Sequence, residues 1–122
     1  MTLRPGVSVE VMNQRGVGCL PGLVGFRVMA LEQGMLVAEL DVRRELLAPN
    51  GYLHAATIVA LADTACGYGC IAHLPKGAEN FTTVELKTNF LGTARDGTLA
   101  CVARPAHLGK TTQVWDAVVS RH

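Results

Sequence analysis

The 122-residue sequence is poorest in charge over one long stretch: between Glu45 and Lys76 the only formally charged residue is Asp63. Over the whole chain eleven basic residues face ten acidic ones, so no surplus of either sign points to a polyanionic partner. Aromatic residues are few, three Phe, two Tyr and one Trp, and they are not interleaved with basic ones. A stacking platform for single-stranded nucleic acid is therefore excluded. Serine occurs only at Ser8 and Ser120, and no G-x-S-x-G is present, which removes the serine-nucleophile hydrolases. Phosphate-cradling glycine loops of the P-loop or dinucleotide kind are missing too. The four cysteines, Cys19, Cys66, Cys70 and Cys101, form no C-x-x-C and stand in apolar segments. Reduced, buried, cytosolic thiols are expected, and no Cys/His cluster has the spacing of a metal site. The opening Met1-Thr2-Leu3-Arg4-Pro5-Gly6 lacks the apolar run of a signal peptide.

A chain of this length builds one domain around one core. Its most apolar stretch runs from His54 to Ala72, with Asp63 in the middle. A helix apolar all round is normally buried, in a core or in a membrane. At about 17–19 residues the stretch approaches a membrane span in length. Asp63, the flanking His54 and His73 and the internal Gly67 and Gly69 favour a core helix of a soluble protein instead. A carboxylate there costs desolvation free energy unless it is paired, hydrogen-bonded or protonated. A structural Asp bonded across the core meets that condition, and so does a working one. The functional reading gains from His54 at the helix start, where the first turn also leaves backbone N–H groups unpaired. Imidazole, carboxylate and free N–H groups are the parts that acyl transfer uses. Cys66 lies one turn beyond Asp63 but has no basic sequence neighbour to activate it, and reads as a structural thiol.

Residues 1–22 are rich in Gly and Pro and read as a loose lead-in with one helical turn; residues 23–122 form the folded domain. Strands are expected at Leu23–Leu31 and Met35–Val42, joined by a hairpin turn at Glu32-Gln33-Gly34. In the second, Leu36, Ala38, Leu40 and Val42 share one face. Ala48-Pro49-Asn50-Gly51 is a turn signal ahead of the helix, and Leu74-Pro75-Lys76-Gly77 stops it. Three further strands are expected, Phe81–Phe90, Leu99–Ala106 and Thr112–Val119. This order gives an α+β layer architecture, one antiparallel sheet around one long helix.

Helix geometry constrains the chemistry. From His54 to Asp63 is nine residues, two and a half turns or roughly 13 Å, so the two side chains point to opposite faces. If they act together, they come from two subunits, with Asp63 of one facing the helix start of the other.

The run Asn50-Gly51-Tyr52-Leu53-His54-Ala55-Ala56, followed by Leu61-Ala62-Asp63, resembles the signature of hotdog-fold acyl-CoA thioesterases. It is most similar to the phenylacetate-degradation and enterobactin-proofreading branch of the 4-hydroxybenzoyl-CoA thioesterase superfamily. That signature reads about G-x-[LV]-H-G-G, then L-[AV]-[DE] with the acid nine residues after the His. Glu85–Gly97 is similar to the strand and turn after the helix, and Arg104–Trp115 to the turn that binds the nucleotide end of CoA. Three departures stand out. Ala55-Ala56 replaces the two glycines; Ala48 occupies the place, six before the His, where relatives often carry Asn or Gln; and the chain stops at Ser120-Arg121-His122, where relatives usually add a strand.

The resemblance implies a cytoplasmic hotdog thioesterase that cleaves an acyl- or aroyl-CoA to the acid and free CoA. It uses no metal or organic cofactor, contacts no nucleic acid or membrane, and is a homo-oligomer, a dimer at minimum, with tetramers typical of the branch. It assigns catalysis to Asp63, as general base or nucleophile, with the Ala55 N–H on the carbonyl oxygen and His54 nearby, either orienting the turn or touching substrate. Asn50, Ala56, Thr57, Gly109, Lys110, Thr111 and Thr112 are the implied binding residues. Two alternatives stay open: a silent acyl-CoA-binding protein, suggested by Ala48 and Ala55-Ala56, and a hotdog hydratase or dehydratase, whose close Asp/His spacing this sequence lacks.

Overall fold

The computed structural model describes residues 3–121. Met1 and Thr2, in the lead-in, and His122, at the expected domain end, lie outside the described residues. The order is α1 (Val9–Arg15), α2 (Leu20–Val24), β1 (Arg27–Glu32), β2 (Met35–Asp41), a 3-10 turn at Arg44–Leu46, α3 (Ala55–Ala72), β3 (Thr98–Leu108) and β4 (Gln113–Arg121). The four strands form one antiparallel sheet in the order β1-β2-β3-β4. α3 packs across one face of it.

Period-two alternation builds that face. Leu36, Ala38 and Leu40 of β2 and Leu99, Cys101 and Ala103 of β3 are buried against the buried side of α3, which carries Leu61, Ala65, Tyr68, Ile71 and Ala72. The opposite side of α3, with Ile58, Ala62, Asp63, Cys66 and Cys70, is only half covered by the chain. Two helix glycines mark close approaches. A Cβ on Gly67 would stand 2.6 Å from Cζ of Phe81, and one on Gly69 2.7 Å from Cζ3 of Trp115. Gly tolerates both at a cost in helix propensity.

A polar cluster locks the C-terminal end of α3. His73, fully buried, donates its Nδ1–H to the Gly69 carbonyl at 2.8 Å and accepts from the Gly34 N–H through Nε2 at 2.9 Å. Gln113 Nε2 donates to the His73 carbonyl and Trp115 Nε1 to Gln113 Oε1, with the Trp115 ring 5.2 Å from the imidazole. One side chain thus ties helix, β1–β2 turn and β4 together.

Three expectations need correction. The strand expected to start at Leu23 starts at Arg27, because Leu20–Val24 is helical, with Pro21 in its first turn and Gly25 closing it at φ 81°. The lead-in holds α1 and the start of α2 rather than one turn, and its Met12 belongs to the core. Phe81–Phe90 is not a strand. Its alternation is strand-like, but a strand also needs a neighbouring edge about 4.8 Å away. No backbone bond links it to the sheet among the described residues, and a groove separates it from β4. Among the described residues two strands follow α3, not three.

Candidate active site

α3 begins at a tightly pinned turn. Leu53 N–H donates to the Ala94 carbonyl, His54 N–H to Leu46, and Ala48 N–H to Tyr52, while Gly51 sits at φ 88°, a conformation that favours glycine. His54 is the N-cap: its Nδ1 accepts from the Ala56 N–H at 2.9 Å, and its carbonyl accepts from Thr57 N–H. With those two donors satisfied, the Ala55 N–H at the first helical position has no acceptor among the described residues. Ala55 lines a cavity of about 510 Å³ with Ala48, Asn50, Tyr52, His54 and Thr93. Asn50 Oδ1 accepts from the Tyr52 N–H at 3.1 Å, and the Arg95 guanidinium stacks 4.7 Å over the Tyr52 ring.

Asp63 lies elsewhere. It is half-buried on α3 and lines a larger groove of about 1140 Å³, bounded by Cys66, Gly67, Cys70, the 80–94 segment, β4 and the Gly109-Lys110-Thr111-Thr112 turn. Its Oδ1 accepts from the Thr83 hydroxyl at 3.2 Å. Sequence reasoning missed Thr83, because no local signal names a partner twenty residues away.

One chain therefore gathers Asp63 with the Gly109–Thr112 turn, and His54 and Ala55 with Asn50, in two cavities that adjoin at Leu53 and Thr93. The Gly109 N–H closes the turn on the Thr112 carbonyl at 2.9 Å, and a Cβ on Gly109 would meet His107 Nε2 at 2.6 Å. Lys110, Thr111 and Thr112 are exposed, and Lys110 has no ion-pair partner among the described residues. Two residues expected at the ligand also make bonds within the chain. Thr57 is buried and its hydroxyl donates to the Leu46 carbonyl at 2.9 Å, holding the 3-10 turn on the helix. The Ala56 N–H is the donor that His54 occupies.

The three thiols of α3 and β3, Cys66, Cys70 and Cys101, are poor nucleophiles. Burial first, then the carboxylates of Asp63 and Asp116, push Cys66 up to about 11. Burial, with Cys66 adding to it, pushes Cys101 up to about 12, and burial also raises Cys70. Among the described residues no group of three or more His, Cys, Asp or Glu side chains is placed to hold a metal ion.

Residues 50–122 match the thioesterase superfamily. A 1,4-dihydroxy-2-naphthoyl-CoA hydrolase of Listeria monocytogenes is 30% identical over 97 residues, 80% of this chain and 78% of that protein. A proofreading thioesterase, EntH, of Cronobacter turicensis is 26% identical over 115 residues, 93% of this chain and 82% of that one. Among solved structures, a glutamine-to-alanine mutant of thioesterase PA1618 from Pseudomonas aeruginosa superposes with a TM-score of 0.92 at 29% identity, covering 99% of this chain and 87% of that one. Two structures of the Staphylococcus aureus protein SAV0944 superpose with TM-scores of 0.77 and 0.79 at 29% and 28% identity. They cover 81% and 83% of this chain, and 82% and 84% of theirs. One carries alanine in place of a glutamine and the other in place of a glutamate, at positions fifteen apart. Ala48 and Asp63 are also fifteen apart.

Proposed function

The chain belongs to the thioesterase superfamily, and from that premise we propose that it hydrolyses an acyl- or aroyl-CoA thioester to the free acid and CoA, with Asp63 as the working carboxylate. The observation that carries this reading is a half-buried carboxylate on the wall of the groove that also holds the Gly109–Thr112 turn, in a chain whose helix start leaves the Ala55 N–H without an acceptor among the described residues.

In this reading the thioester oxygen accepts from the Ala55 N–H. As the carbonyl carbon becomes tetrahedral, its oxygen gains charge at the positive end of the α3 dipole, where a preorganised donor contributes most. Asp63 takes a proton from the attacking water, or attacks the carbon itself to give a mixed anhydride that water then hydrolyses. Either way the C–S bond breaks and the sulfur leaves with its electron pair to be protonated as CoA. His54 orients the first turn through its bond to the Ala56 N–H. Lys110, Thr111 and Thr112 take the nucleotide end of CoA. Because His54 and Asp63 lie on opposite faces about 13 Å apart along one helix, each site joins Asp63 of one protomer to His54 and Ala55 of another. A homodimer is the minimum and a tetramer the form typical of the branch. The half-covered face of α3 and the exposed Val84, Leu86, Phe90 and Leu91 supply apolar surface for that assembly. A CoA-thioester substrate is in keeping with a cytoplasmic enzyme.

The aroyl thioester in the name of the Listeria relative makes aroyl-CoA the first class to test. One feature favours a second reading, a binding protein without turnover: Ala48 leaves only a methyl group where the family resemblance implies an Asn or Gln. A panel of aroyl- and acyl-CoA esters, followed by free-thiol detection, separates the two. Turnover of at least one ester supports hydrolysis; binding without thiol release across the panel supports the silent protein. Sedimentation run alongside should give a dimer or larger, and a fully active monomer would sink the two-chain site.

A further inference from the structure

We propose that Gln113 is a positioning residue for the nucleotide end of CoA: its side-chain amide fastens the Gly109–Thr112 turn to the C-terminal end of α3, which holds Lys110, Thr111 and Thr112 at a fixed place along the groove that Asp63 lines. The proposal rests on the reading of that turn as the nucleotide contact.

The turn has little of its own to hold it. The β3–β4 ladder ends at the Leu108–Gln113 rung, and beyond it one backbone bond, from the Gly109 N–H to the Thr112 carbonyl at 2.9 Å, closes the loop. Among the described residues no side-chain hydrogen bond or ion pair involves Gly109, Lys110, Thr111 or Thr112. The place of the turn is therefore set by whatever fixes Gln113, the residue next to Thr112.

Gln113 is held at both ends of its amide. Nε2 donates to the His73 carbonyl at 3.1 Å, and Oε1 accepts from the Trp115 Nε1–H at 2.8 Å. An indole nitrogen can only donate, so Trp115 claims the amide oxygen and leaves the amide N–H for the helix. Trp115 has no room to yield. It lies on the same face of β4, two residues on, with its ring on the bare backbone of Gly69, where a Cβ would stand 2.7 Å from Cζ3. The carbonyl that Gln113 reaches belongs to the C-cap of α3, one of the helix-end acceptors without a partner inside the helix. All of these contacts lie within one chain, and they run from Gly69 through Trp115 and Gln113 to the turn. An anchored turn meets its ligand already ordered, whereas a loose one must be ordered on binding.

The test measures Kd for free CoA by calorimetry, which needs no turnover, beside the kinetics of the best acyl-CoA from the panel and of the matching N-acetylcysteamine thioester. Gln113→Leu keeps the bulk and removes both bonds. It should raise Kd for CoA and KM for the acyl-CoA about three- to tenfold, the range for re-ordering one or two side chains on binding, with kcat within about twofold. The N-acetylcysteamine thioester should not respond, an outcome that a general loss of fold would not spare. Trp115→Phe keeps a ring on Gly69 and deletes only the indole N–H. It should shift Kd in the same direction by at least about twofold, and it serves if Gln113→Leu fails to fold. Combined with Lys110→Ala, Gln113→Leu should raise Kd by less than the product of the two single effects, because it acts through the turn that carries Lys110. Unchanged Kd in Gln113→Leu and Trp115→Phe, equal responses of the two thioesters, or effects that multiply with Lys110→Ala would overturn the proposal. Lys110→Ala keeps the two claims apart. If it weakens CoA binding while Gln113→Leu does not, only the anchor fails; if it leaves CoA binding unchanged, the reading of the turn fails and takes the proposal with it.

Discussion

His73→Ala should unfold the protein easily while leaving its chemistry nearly intact. The imidazole is fully buried and bridges the Gly69 carbonyl and the Gly34 N–H, with Trp115 against its ring. Alanine leaves two backbone groups without that partner, each worth about 1–3 kcal/mol when buried. It also opens a cavity of imidazole size, in a class of change where aromatic-to-alanine substitutions cost about 3–5 kcal/mol. Relaxation and water entry recover part of this, so the expected loss is about 3–5 kcal/mol. Out of a total of about 5–15 kcal/mol, that is a large share, and it corresponds to a fall in Tm of roughly 10–20 °C for a domain of this size. Denaturant titration and thermal melts followed by circular dichroism read it directly. His73 lies ten residues from Asp63, about 15 Å along the helix, so kcat at 15–20 °C should stay within about threefold of the parent. A stability loss below about 1 kcal/mol would refute the argument that this histidine clamps helix, turn and β4 together.

Three further outcomes follow from the site. Lys110→Ala should raise KM for the acyl-CoA several-fold, on the order of 1 kcal/mol for an exposed charge, with kcat unchanged and the effect shrinking as salt is added. An N-acetylcysteamine thioester, which lacks the nucleotide, should not respond to Lys110→Ala, and an equal response of both substrates would remove the turn from the binding site. Cys66→Ala should keep full turnover; a thiol pushed up to about 11 is only ~10⁻³ thiolate at pH 8. Iodoacetamide mapped by mass spectrometry should therefore label the exposed Cys19 well before Cys66, with Cys66 labelling rising as pH climbs toward 11; rapid labelling of Cys66 at pH 7 would contradict its burial.

What was legible in the sequence was local. The apolar run with Pro75 and Gly77 beyond it marks α3 almost to the residue, and His54 stands at its cap. The alternation of Leu36, Ala38 and Leu40 gives the inward face of β2 because a half-buried strand has only two faces to choose from. The same signal misleads at Phe81–Phe90, since alternation encodes a face but not the neighbouring edge that makes a strand. α2 was hidden although Pro21 and Gly25 are start and stop signals; only five residues long, it has no periodicity to set against the β-favouring Leu23 and Val24. Asp63 and His54 stood out by chemistry in an apolar context. The bonds of Thr83 and Thr57 did not, because each is made with a distant residue, Asp63 in one case and the Leu46 carbonyl in the other.

The most direct measurement on the central claim is the steady-state kinetics of Asp63→Asn with the best acyl- or aroyl-CoA, read by free-thiol release on protein of verified fold and assembly. Asparagine keeps the shape of the side chain and an oxygen for Thr83, but it can neither take a proton from water nor form an anhydride. The expected result is a kcat at least about 10² lower, KM changed far less and an unaltered melting temperature. A folded Asp63→Asn protein that turns over at the parental rate would contradict the account and return Asp63 to a structural role.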